Sequence, residues 1–151
     1  MAVSLQPRLG YWSQMVVLGR TIPALPVRDV ATAVTHYRDL LGFRALHVDD
    51  GFAVVQRDEA RIHLWQAADE DWSGREDLRE RPIDSGAESF LAGTASCRIE
   101  TEDVDGLYAE LAGTDVLHAV SRDGIKDTDF GTREFATVDP DGNLIEFFSW
   151  Q

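Results

Sequence analysis

A single cysteine, Cys97, stands in the 151 residues of the chain. One thiol cannot form an internal disulfide, so the fold must rest on packing, as in proteins of a reducing compartment, and a cytoplasmic location is expected. Long apolar runs are missing too. The longest near the start, residues 15–18, is far short of the ~20 residues of a membrane helix and too short for the core of a secretory signal. Basic residues are scarce: 14 Lys and Arg face 27 Asp and Glu, a net charge of -13. That charge opposes phosphate backbones and anionic lipid, which excludes nucleic acid and membrane as partners and favours cations. Common catalytic motifs are also absent, with no G-x-S-x-G, no phosphate-cradling Gly-Lys loop and no H-E-x-x-H.

What remains is an ordinary globular composition, 44% apolar and 27% charged, at a length of one domain. Residues 21–27 read as a strand, and Asp29 stands where a helix N-cap belongs. Val30, Ala33, Val34, Tyr37, Leu40 and Leu41 follow as one apolar stripe, and Gly42 supplies the stop. Strand-like runs come next at 43–48, 52–57 and 61–66. The second half repeats this order. It has a strand at 95–101, the N-cap Asp103, a helical stripe of Val104, Leu107, Tyr108 and Leu111, then strands at 116–120, 133–138 and 144–150. Asp139-Pro140-Asp141-Gly142 marks the last hairpin turn. The reading is an α+β chain of two βαβββ modules: an N-terminal arm over 1–20 and one domain over 21–151. That domain divides into module one at 21–66, a linker at 67–93 and module two at 94–151. The linker is rich in acids, among them Asp84 and Glu88, with interleaved arginines; it reads as solvated, and the alternative is an acidic flap over a cationic ligand.

A duplicated βαβββ unit resembles the vicinal oxygen chelate superfamily, which includes glyoxalase I, extradiol dioxygenases, fosfomycin-resistance enzymes and bleomycin-resistance proteins. Its local marks are Leu25-Pro26-Val27-Arg28-Asp29-Val30, His36-Tyr37-Arg38-Asp39-Leu40-Leu41-Gly42-Phe43 and Phe130-Gly131-Thr132-Arg133-Glu134-Phe135-Ala136. The last, with the proline in the first strand, looks most like the bleomycin-resistance branch. The resemblance implies modules whose mixed sheets curl into a cup with helices outside. It also implies a homodimer, in which Pro23 goes with exchange of the N-terminal strand between partners.

Alternation sorts the strand residues between core and cup. His63 and Trp65 face the cup beside core Ile62 and Leu64; Arg98 and Glu100 do so beside core Cys97 and Ile99, and Glu146 beside core Ile145 and Phe147. The buried side expected for Cys97 makes it an inert thiol. Carried over from metal-dependent relatives, the ligand places fall on Ile22, His63, Ser96 and Glu146. Only His63 and Glu146 are weak metal candidates, fewer than the three protein ligands a catalytic centre normally needs, so no metal and no other cofactor is expected. Glu146 reads either as a carboxylate that is solvated or paired with Arg98 or Arg133, or as an anion for a ligand cation or a general base with His63, ligand contact being favoured over catalysis. His36, His47 and His118 are expected at the surface.

The aromatic residues Phe52, Trp65, Phe130 and Trp72 fall on or beside the cup, where flat rings hold planar heterocycles by roughly 1–3 kcal/mol each. The expected binding set is Phe52, His63, Trp65, Arg98, Glu100, Phe130 and Glu146, with no catalytic residue. The resemblance thus points to metal-free sequestration of a cationic, planar-ringed antibiotic of the bleomycin type, without chemical change to it. The alternatives are a metal-dependent lyase or dioxygenase of the same superfamily, and a binder of an unknown small metabolite.

Overall fold

The structure, a computed structural model, describes residues 16–68, 74–77 and 79–151. Trp72, the acids Asp69, Glu70 and Asp71, and residues 1–15 of the predicted arm lie outside this set. Strand β1 spans Ala24–Val27, shorter than the predicted 21–27, because Pro23 has no amide to donate. Its carbonyl still accepts from His63 N–H at 3.0 Å. Asp29 then caps helix α1 (Val30–Asp39), its carboxylate accepting from Thr32 N–H at 2.8 Å. Val30, Ala33, Val34 and Tyr37 are the buried stripe. At Gly42 the backbone takes φ +73° and turns into β2 (Arg44–Val48), followed by β3 (Phe52–Arg57) and β4 (Ala60–Gln66). These form a sheet in the order β1-β4-β3-β2, with β1 parallel to β4 and the other pairs antiparallel.

Module two copies the plan. Strand β5 spans Ser96–Glu100, and Asp103 caps α2 (Val104–Leu111) by accepting from Gly106 N–H at 2.8 Å. Strands β6 (Lys126–Asp127), β7 (Thr132–Val138) and β8 (Leu144–Trp150) complete a sheet ordered β5-β8-β7-β6. One expected strand is corrected. Residues 116–120 give only a bridge from Leu117 to Thr137 and then a 3-10 turn, Ala119–Ser121. The physical reason is Ser121, whose hydroxyl accepts from Ala136 N–H at 2.8 Å and so takes the amide that a longer ladder would need. Two-residue β6 fills the fourth place instead.

Both sheets are mixed, each carries its helix on one face, and together they do not close. Leu25, Val55, Ile62 and Leu64 of the first module share one buried cluster with Val104, Leu111, Phe135, Ile145 and Phe147 of the second. A polar seam joins the modules. Buried Asn143 donates to the Pro26 carbonyl at 2.8 Å and to Asp139 at 2.9 Å, and accepts from Ala95 N–H at 3.1 Å. Tyr37 reaches Asp139 at 3.1 Å, and Arg28 N–H reaches Asp141 at 3.0 Å. At the turn between β7 and β8, Asp139 Oδ1 accepts from the amides of Asp141, Gly142 and Asn143, and Gly142 adopts φ +103°.

The linker is less solvated than its composition predicts. Ala87 is buried, and Gly86 lies so close to Trp65 that a Cβ there would stand 1.9 Å from an indole carbon. Charge governs the look of this stretch in sequence, whereas two small residues govern its packing.

Candidate functional site

The face of each sheet turned away from its helix carries the predicted cup residues. On the first sheet, β3–β4 register sets Phe52 opposite Trp65 and Val54 opposite His63. The Phe52 and Trp65 rings are 4.4 Å apart and tilted, while Phe52 meets His63 edge-on at 5.1 Å. His47, across a bulge in β2, comes within 5.8 Å of Phe52. The His63 pKa is held below the usual imidazole range, first by burial and then by the Arg61 charge, which favours a neutral ring. Next to it, Arg61 is oriented by Gln56, whose amide oxygen accepts from Nε at 2.8 Å.

On the second sheet the centre is Arg98. It bonds Glu134 at 2.7 Å and Glu146 at 3.1 Å, and its guanidinium lies 4.7 Å from the centre of the Phe148 ring. Glu146 therefore adopts the paired reading, with Arg98; Arg133 instead binds Asp105 and Asp127 on the helix side. Arg98 and then burial act in opposite directions on Glu134, and the net effect lowers its pKa. Phe148 and Trp150 meet edge-on at 5.6 Å, and Trp150 is 63% exposed.

The predicted residues thus form two groups, Phe52, His63 and Trp65 on one sheet, and Arg98 and Glu146 on the other. His63 and Glu146 each have partners on their own sheet. Phe130 stands in the turn before β7, 61% exposed. Between the modules, residues 20–23, 59–62 and 97–100 bound a cleft of about 680 Å³, lined by Arg98 and Glu100 but not by the other five predicted binding residues. A neighbouring cleft of about 530 Å³ shares Glu100 and reaches Phe43, Leu107 and Phe147.

Two residues escaped the sequence reading, Glu134 and Gly86. Glu134 was legible, since alternation about Phe135 sets it on the cup side, opposite Phe148. Gly86 carried no local signal, because the linker is aperiodic, whereas Glu88 was one of the acids of the alternative flap reading. Two histidines are also corrected. His36 is half-buried on α1 next to the buried Tyr37, and half-buried His118 caps the 3-10 turn by accepting from Val120 N–H at 3.1 Å. Cys97 lies on the core side as expected, half-buried, its thiol pushed up to about 11 chiefly by burial.

The donor set does not suit a catalytic metal. Ile22 offers no ligand atom, Ser96 is a poor one, and Glu146 is engaged by Arg98. Among the described residues no three His, Cys, Asp or Glu side chains group closely enough to hold an ion. Nor is any helix among them long and apolar enough to cross a membrane.

Two mixed sheets built from repeated βαβββ modules, with an open aromatic and charged face, define the class. The chain belongs to the Glyoxalase/Bleomycin resistance protein/Dioxygenase superfamily, whose family model matches residues 18–147. It is 49% identical over 129 residues to the bleomycin resistance protein of Geobacillus stearothermophilus, covering 85% of this chain and 95% of that one. The same figures hold for a bleomycin resistance protein of Staphylococcus aureus. Among solved structures, it resembles the bleomycin-binding protein of Streptomyces verticillus complexed with copper(II)-bleomycin. The TM-score is 0.67 at 26% identity, covering 91% of this chain and all of that one. A lactoylglutathione lyase from Agrobacterium tumefaciens, at 18% identity and TM-score 0.62, shares the fold.

Proposed function

We propose that this protein binds bleomycin or a close relative and protects by sequestration, holding no metal of its own and changing no bond in the drug. The observation that carries the reading is a pair of groups on the helix-free faces, Phe52, His63 and Trp65 on one sheet and the carboxylates around Arg98 on the other. Planar rings suit the first group, and a cationic tail suits the acids of a molecule with net charge -13. The relatives at 49% identity, which cover nearly their full length, support the choice of drug.

A site divided between two sheets is completed in a homodimer, where the first group of one copy meets the second group of its partner. Pro23, at the start of β1, fits exchange of the N-terminal strand in that assembly. Calorimetric titration with copper(II)-bleomycin and with metal-free bleomycin tests the proposal. Saturable binding well below micromolar is expected, near -12 kcal/mol if the dissociation constant is about 1 nM. Prior dialysis of the protein against EDTA should leave the titration unchanged, and the drug should be recovered intact. No saturation at micromolar concentrations removes the proposal.

A further inference from the structure

The indole of Trp65 lies against the Phe52 ring and the backbone of Gly86. A Cβ on Gly86 would stand 1.9, 2.2 and 2.3 Å from three indole atoms, so glycine is the residue that lets the chain lie there. The chain at Gly86 therefore covers part of an aromatic surface that the proposed function assigns to the ligand. The contact is chemically incomplete. Trp65 Nε1 and Glu88 Oε2 are both buried and have no hydrogen-bond partner, while the other Glu88 oxygen accepts from the Ser85 hydroxyl. Buried polar atoms without partners destabilise the arrangement that buries them. Buried Ala87 works in the opposite direction.

The linker is also tied where it leaves and rejoins the sheets. Ala67 N–H donates to the Val27 carbonyl at 2.8 Å, and Gly93 N–H donates to the Pro26 carbonyl at 3.2 Å. Gly93 takes φ +80°, and a Cβ there would meet the Asp141 carbonyl at 1.9 Å, so that end is fitted closely. Between those ends, Ala68 N–H donates to the Glu88 carbonyl at 2.7 Å.

We propose that residues 85–90 are a strap that occludes Trp65 in the free protein and is displaced when a planar heterocycle takes the place of Gly86 on the indole. The occupant must be flat, because it replaces bare backbone against a ring. A ring with a hydrogen-bond acceptor at its edge satisfies Trp65 Nε1, and release of the strap returns the Glu88 carboxylate to solvent or to a ligand cation. The strap rests on the reading of Trp65 as a ligand contact.

Amide hydrogen exchange of the wild-type protein, free and saturated with bleomycin, tests this directly. The Ala68 amide and those of residues 86–90 should exchange faster in the complex, by about tenfold or more, as local opening becomes the rule. In parallel, Gly86→Ala cannot seat its methyl on the indole and should bind bleomycin about threefold tighter or more, since the closed population no longer subtracts from affinity. Unchanged or slower exchange overturns the strap, as does a folded G86A that binds no more tightly. If G86A does not fold, the exchange result decides alone. Binding without strap release leaves the proposed function standing, whereas no binding by the wild type removes both.

Discussion

His36 combines a half-buried ring, an Nε2 atom with no hydrogen-bond partner and an edge-on contact with Tyr37 at 5.6 Å. Burial holds its pKa below the usual value of 6.5, and the Asp139 carboxylate opposes this in part. The unfolded chain therefore takes up the proton first as pH falls. Stability should be fully present above about pH 6.5 and decline below it, until the folded-state ring also titrates. His63 is shifted the same way and adds to the slope. The carboxylates held low by their partners, such as Asp29, Asp49 and Glu134, act only in the more acidic range. Urea midpoints at pH 7.5, 6.5 and 5.5 check this, and His36→Gln should flatten the loss between the last two. A slope unchanged by the variant would assign the effect elsewhere.

At the scale of elements, the two sheets depend on the seam that Asn143 closes. Replacing it by alanine leaves the Pro26 carbonyl without one donor and the Ala95 amide without its acceptor. The Pro26 carbonyl keeps the Gly93 N–H, so the expected cost is roughly 1–3 kcal/mol, set by the Ala95 amide left without a partner. It would be read as a lowered denaturant midpoint for a transition that remains single, since one core cluster spans both modules. The elements themselves were largely legible. Asp29 and Asp103 mark helix starts because a carboxylate meets free amides there, and Ile62, Leu64, Ile145 and Phe147 fix strand faces by simple alternation. Residues 116–120 misled because apolar content cannot announce that Ser121 will take the Ala136 amide. The face assignments of His63, Trp65, Arg98 and Glu146 followed from period alone, but their partners did not. Which acid Arg98 meets depends on register between β5, β8 and β7, a long-range property that no local pattern encodes. Gly86 against Trp65 is the same problem in sharper form, a contact between an aperiodic linker and a strand.

Over the whole molecule, charge acts at a distance that individual contacts do not. A net charge of -13 raises the encounter rate with a cationic ligand, and salt screens that attraction beyond about 8–10 Å at physiological strength. Stopped-flow association with bleomycin should therefore slow several-fold between about 50 and 500 mM salt, while dissociation, governed by ring contacts, changes little. A salt effect confined to dissociation would place the electrostatics inside the complex instead.

The joint between the modules has a thermodynamic corollary. On the β1 side it is made by the Pro26 carbonyl, the Arg28 amide and the Arg28 guanidinium, which pairs with Asp141 at 3.1 Å, and any other copy presents the same groups. Trading that strand between two molecules would re-form each of these bonds and create none. In the proposed dimer, the balance between closed monomer and intertwined pair would then fall to hinge strain and the loss of translational freedom, tuned by protein concentration rather than by the chemistry of the joint.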